Sequence, residues 1–142
     1  VRKISYSTIL ASLIFLGFFT NCSFNKNVGT SSLVNKTISF YLEEVGGPFD
    51  NDIYHKNLVF RFDSGGNYKT TLDGQLFQAG NYSYSYSESK GRLLITYSTE
   101  GSLFEYELNL IFETNTSGTW TGIYSNNPGI NKAEGGTFEF EN

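Results

Sequence analysis

The sequence predicts an all-β domain, and three features predict it. Aromatic residues make up 17% of the chain, Phe and Tyr far outnumber the single Trp, and Met is absent; such side chains suit a pleated, half-buried surface. Apolar and polar residues alternate in run after run, which is the period of a strand with one covered face. Clusters of Gly, Asn, Asp and Ser punctuate the runs, and no sustained helical periodicity occurs after the amino-terminal segment. At 142 residues the chain has the length of one domain.

The amino terminus reads as an address. Arg2 and Lys3 precede an uncharged apolar run from Ile9 to Phe19, the length of a signal-peptide core and too short to span a bilayer comfortably. The run ends at Phe18-Phe19-Thr20-Asn21-Cys22, which resembles a bacterial lipobox of the relaxed, spirochaetal type, with Asn21 where Gly, Ala or Ser is usual. The resemblance implies a signal peptide over 1–21 and a lipoprotein whose diacylated Cys22 becomes the mature amino terminus, with palmitate-like chains holding the domain to a membrane. An ordinary secretory signal with an incidental cysteine is the alternative. Residues 22–36, rich in Ser, Asn, Gly and Lys, read as a flexible tether.

The domain itself is expected over 37–142. Ile38, Phe40 and Leu42 alternate with Thr37, Ser39 and Tyr41 in a first strand. Gly46-Gly47-Pro48 stops it and opens a long stretch, Glu43 to Asn57, in which Phe49, Ile53 and Tyr54 offer apolar contacts. Leu58, Phe60 and Phe62 form the next strand, Asp63 to Asn67 turns the chain, and Tyr68, Thr70 and Leu72 return it as a hairpin. Asp73-Gly74 turns it again. Tyr82, Tyr84 and Tyr86 then put every phenol on one face and Ser83 and Ser85 on the other. Leu93, Ile95 and Tyr97 follow, although Leu94 blurs the face. The clearest alternation is Phe104, Tyr106, Leu108, Leu110 and Phe112, with Glu105, Glu107 and Asn109 opposite. Trp120, Gly122 and Tyr124 precede a second long loop from Asn126 to Glu134, and Phe138 and Phe140 close the chain.

A short repeat links these strands: Gly66-Asn67-Tyr68, Gly80-Asn81-Tyr82, Gly118-Thr119-Trp120 and Gly136-Thr137-Phe138. Residues two apart share a face, so each glycine is expected beneath its aromatic at a strand start, where strands bend or approach closely. About eight strands joined mostly by short turns make an antiparallel meander, and closing it into a barrel removes exposed edges. A β-sandwich is the alternative topology. Phe60-Arg61-Phe62-Asp63 through Gly66-Asn67-Tyr68, then Gly80-Asn81-Tyr82 and the Leu103 to Phe112 strand resemble the small bacterial lipocalin-like domains, a calycin-type barrel. The first strand lacks the Gly-x-Trp of true lipocalins, and Asn142 leaves no room for their terminal helix. The resemblance implies a non-catalytic barrel that binds a small hydrophobic or amphipathic ligand.

Charge and composition exclude several functions. Whole-chain charge is −4, and without Arg2 and Lys3 eight basic residues face fourteen acidic ones, a net charge of −6; no basic patch for nucleic acid is expected. Cys22 is the one cysteine, so no internal disulfide forms. His55 stands alone near Asp50 and Asp52, too few ligands for a metal site, and the Asp50-Asn51-Asp52 run lacks the rest of an EF-hand pattern. Glu105 and Glu107 alternate with apolar residues and so face solvent rather than pairing as acid and base. No catalytic site and no cofactor is expected.

The tyrosine stripe is the candidate site. Buried phenols need partners, so Tyr82, Tyr84 and Tyr86 along one inner face call for a polar network or for a cavity holding a ligand or water. Tyr106 and Trp120 are expected to line the same interior, with Phe49 and Tyr54 covering its mouth. Equally, aromatic bulk can fill a narrow barrel outright. The function expected first is therefore a membrane-anchored lipoprotein of the bacterial envelope, outer membrane before inner, binding a small ligand in its barrel. The second is a protein-interaction or inhibitor module that uses its loops.

Overall fold

A computed structural model describes residues 27–44, 55–124 and 134–142. Eight antiparallel strands run in chain order around a closed barrel: β1 (Thr37–Glu44), β2 (Asn57–Phe62), β3 (Asn67–Leu72), β4 (Gln75–Ser87), β5 (Lys90–Thr99), β6 (Ser102–Phe112), β7 (Ser117–Tyr124) and β8 (Glu134–Phe140). The meander and its closure are as the sequence predicts, and the sandwich is set aside. Closure is made by β1 and β8, in register from Ile38 opposite Phe140 to Leu42 opposite Gly136.

The alternation decides what faces inward. Ile38, Phe40 and Leu42, Leu58, Phe60 and Phe62, and Tyr106, Leu108, Leu110 and Phe112 are all buried, and Trp120, Phe138 and Phe140 complete one continuous core. Its rings interlock: Phe40 meets Phe60 and Trp120 edge-on at centroid distances of 5.1 and 5.7 Å, and Phe112 meets Phe138 at 5.1 Å. Edge-to-face contacts of this kind suit the ring quadrupoles and fill the narrow bore of an eight-stranded barrel. On the outside, Arg92 reaches Glu107 at 2.6 Å. The hydrogen bond from that guanidinium holds the Glu107 carboxyl below its ordinary range, as expected for an outward face.

The glycine repeat needs one correction. Gly80 lies inside β4, which starts five residues earlier at Gln75, and Gly118 and Gly136 sit one and two residues inside β7 and β8. At these three positions a Cβ would collide with a neighbouring strand's carbonyl oxygen, that of Thr96, Ile111 and Tyr41 respectively. The glycines therefore mark close backbone approach, as expected; Gly118 and Gly136 lie near their strand starts, and Gly80 alone lies well inside its strand. Only Gly66, just before β3, belongs to a turn, with φ of +79°.

Antiparallel order sorts the connections to two ends. Residues 63–66, 88–89 and 113–116 turn the chain at the end where β1 begins. Residues 45–56, 73–74, 100–101 and 125–133 connect strands at the opposite end. The two long connections thus share an end.

Candidate functional site

Tyr82, Tyr84 and Tyr86 point inward, half-buried, while Ser83, Ser85 and Ser87 are exposed, so the stripe has the predicted facing. Its hydroxyls identify their own partners. Tyr82 Oη donates to the Asp63 carbonyl at 3.0 Å, Tyr84 Oη to the Thr30 carbonyl at 2.8 Å, and Tyr86 Oη to the Val28 carbonyl at 2.8 Å and Asn27 Oδ1 at 2.9 Å. Burial raises the Tyr84 phenol well above its ordinary range, with the neighbouring Tyr86 adding to the shift. Two of the three phenols are therefore engaged by residues 27–30, a segment that no strand claims.

That segment is a strap across the barrel end. Val28 N donates to Ser89 Oγ at 2.9 Å, Ser89 N to Asn27 Oδ1 at 3.0 Å, and Gly29 N to Asn115 Oδ1 at 3.3 Å, so the strap is held by both the 88–89 and the 113–116 turns. Gly29 has φ of +122°, and a Cβ there would lie 2.7 Å from the Phe112 ring and 2.8 Å from that of Tyr86. Only glycine fits that backbone in that space. Leu33 then enters the core at 1% exposure, Lys36 N bonds to the Leu33 carbonyl at 2.9 Å, and Phe62 N bonds to the Lys36 carbonyl at 3.0 Å. Of the stretch read as a flexible tether, residues 27–36 are instead packed onto the barrel, because Leu33 has apolar burial to gain and the tyrosines supply donors to strap carbonyls.

The opposite end has a different inner wall. Tyr106 Oη donates to Glu134 Oε2 at 2.7 Å, and Glu134 is fully buried. Trp120 Nε1 donates to the Tyr41 carbonyl at 3.2 Å, and Tyr68 Oη to Gln78 Oε1 at 2.9 Å. Leu72, Gln78, Tyr97 and Phe104 are half-buried, with Tyr97 stacked on Phe104 at 5.2 Å. Among them Thr70 Oγ1 is buried and makes no hydrogen bond to the described residues, a state that normally costs about 1–3 kcal/mol.

The structure thus brings Tyr82, Tyr84, Tyr86, Tyr106 and Trp120 to one interior but divides their partners between two ends. Cys22, Phe49 and Tyr54 lie outside the described residues. His55, exposed, accepts or donates at Nδ1 with Tyr41 Oη at 3.1 Å. Among the described residues no three His, Cys, Asp or Glu side chains gather as metal ligands. Sequence reasoning missed Val28 and Leu33, apolar residues in a mainly polar stretch, and Glu134, which the sequence places in a loop. Glu134 was discoverable: it shares a face with Gly136, Phe138 and Phe140 at spacing two. Comparison with family models, curated proteins and solved structures finds no match to this chain.

Proposed function

We propose that the protein is a lipid-anchored, non-catalytic module of the bacterial cell envelope, outer membrane before inner, whose filled barrel is a scaffold and whose long connections, 45–56 and 125–133, engage a partner protein. The observation that carries this reading is the interlocked aromatic interior in which Tyr82, Tyr84, Tyr86, Tyr106 and Trp120 all bond to the chain itself. Polar groups met within the chain do not call for a central ligand to satisfy them. The anchor rests on Arg2-Lys3, the Ile9 to Phe19 run and Cys22 in its lipobox-like setting. Radioactive palmitate should label the wild type and not Cys22→Ala; equal label in both, or none, ends the anchor.

A second reading keeps the small amphipathic ligand of a lipocalin-like barrel but moves it to the loop end. Thr70 Oγ1 favours it, a buried polar atom without a hydrogen-bond partner among half-buried apolar and polar side chains. Native mass spectrometry of the chain from Ser23 onwards separates the two. The bare mass is the expected result. A stoichiometric excess that disappears on denaturation would replace the scaffold reading with the ligand reading and give the ligand's mass.

A further inference from the structure

We propose that the strap sets how the barrel stands on its membrane: the end carrying the 63–66, 88–89 and 113–116 turns faces the bilayer, and the end carrying the 45–56 and 125–133 connections faces away. This rests on the lipid anchor at Cys22 proposed above. The argument is one of chain length. If all of 22–36 were free, fifteen residues would separate the anchor from β1 and reach roughly 50 Å, long enough for the barrel to tumble and present either end.

The strap removes most of that length. Asn27 Oδ1 accepts from Ser89 N, and the Val28 and Thr30 carbonyls accept from Tyr86 and Tyr84, so Asn27, five residues from Cys22, is fixed at the 88–89 turn. Five residues remain, reaching roughly 17 Å at most. β6 spans 11 residues, about 28 Å along the barrel at ordinary strand rise and tilt. An inverted barrel is therefore out of the anchor's reach.

Charge does not supply the orientation. A groove of about 810 Å³ beside the strap contains Lys36 and Arg61 but also Glu141, and Asp63 and Glu113 border the same end. A mixed rim on an acidic protein draws little from an anionic surface. The tether length does the work, and the consequence is functional: the connections proposed to meet a partner are the part of the molecule furthest from the lipid.

The test places one probe at each end. Ser64→Cys and Ser102→Cys both substitute exposed turn-side serines, and acylation of Cys22 leaves the introduced thiol free for a fluorophore. Full-length lipidated protein is reconstituted into phosphatidylcholine vesicles containing a nitroxide-headgroup lipid. The expected result is several-fold stronger quenching at position 64 than at 102. A ten-residue Gly-Ser insertion between Lys26 and Asn27 adds no residue within the strap and restores a reach of roughly 50 Å between Cys22 and Asn27, and it should bring the two positions together. Equal quenching without the insertion, with the acyl mass on the protein, overturns the orientation and leaves the anchor standing. A chain lacking that mass, and not bound to vesicles, overturns the anchor reading and the orientation with it.

Discussion

At the end of the barrel where β1 begins, three short turns lie with the 27–36 strap, and the strap carbonyls of Thr30 and Val28 accept from Tyr84 and Tyr86. At the other end two connections of nine and twelve residues join the strands, Thr70 Oγ1 makes no bond to the described residues, and Leu76 and Leu103 are 67% and 60% exposed. Among the described residues, Thr70 Oγ1 at the second end is the one buried side-chain polar atom without a hydrogen bond. Long connections on a rigid scaffold are where binding residues concentrate. The comparison teaches that two phenols of the stripe, the most conspicuous feature of the sequence, hold the 27–30 segment to the barrel, and that the partner contact proposed above draws on the other end.

The comparison can be broken most decisively at Leu33. Leu33→Ala removes a side chain at 1% exposure and should cost about 2–5 kcal/mol, read as a fall in the urea midpoint. A loss below about 0.5 kcal/mol would mean that the strap is not part of the core. At the opposite end, Tyr106→Phe takes the donor from buried Glu134 and should cost about 1–3 kcal/mol, because the carboxylate keeps its burial and loses a bond.

Tyr84→Phe is gentler, about 1 kcal/mol for one hydrogen bond, and it should speed amide exchange at residues 28–31 while leaving the loop end unchanged. The same phenol gives a pH dependence. Burial raises Tyr84, and likewise Tyr68, above the ordinary 10.0, so the folded state favours the neutral phenol. That contribution is complete below pH 10, shrinks as the unfolded chain ionises above it, and is lost as pH rises through the folded-state values. Denaturation midpoints should fall above pH 10, less steeply in Tyr84→Phe. The smallest effect is expected from Leu103→Ala, within about 0.5 kcal/mol, and a larger loss would assign the exposed loop-end residue to the core.

Much of the fold was legible because a strand with one buried face leaves a period-two record. Phe104 to Phe112 reads directly as an inward row, and so do Phe138 and Phe140. Tyr82, Tyr84 and Tyr86 gave their facing correctly, and the choice between a network and a cavity was visible as a choice. The partners of those phenols were not written locally. The strap bonds largely through its backbone carbonyls, which every residue carries, so Asn27 to Thr30 leaves no pattern, and the short Leu33-Val34 pair has no alternation around it. Gly29 is informative only once Phe112 and Tyr86 are known to lie against it.

The pairing of β1 with β8 joins Ile38 to Phe140, the first strand to be synthesised with the last. β1 therefore has only β2 beside it until β8 has been made, and its other edge stays open until then. Contacts so distant in sequence slow folding, since the intervening loop must close before they form. The barrel is thus an object that cannot be finished early, and any compartment in which it matures must keep a sticky, aromatic strand from pairing elsewhere while it waits.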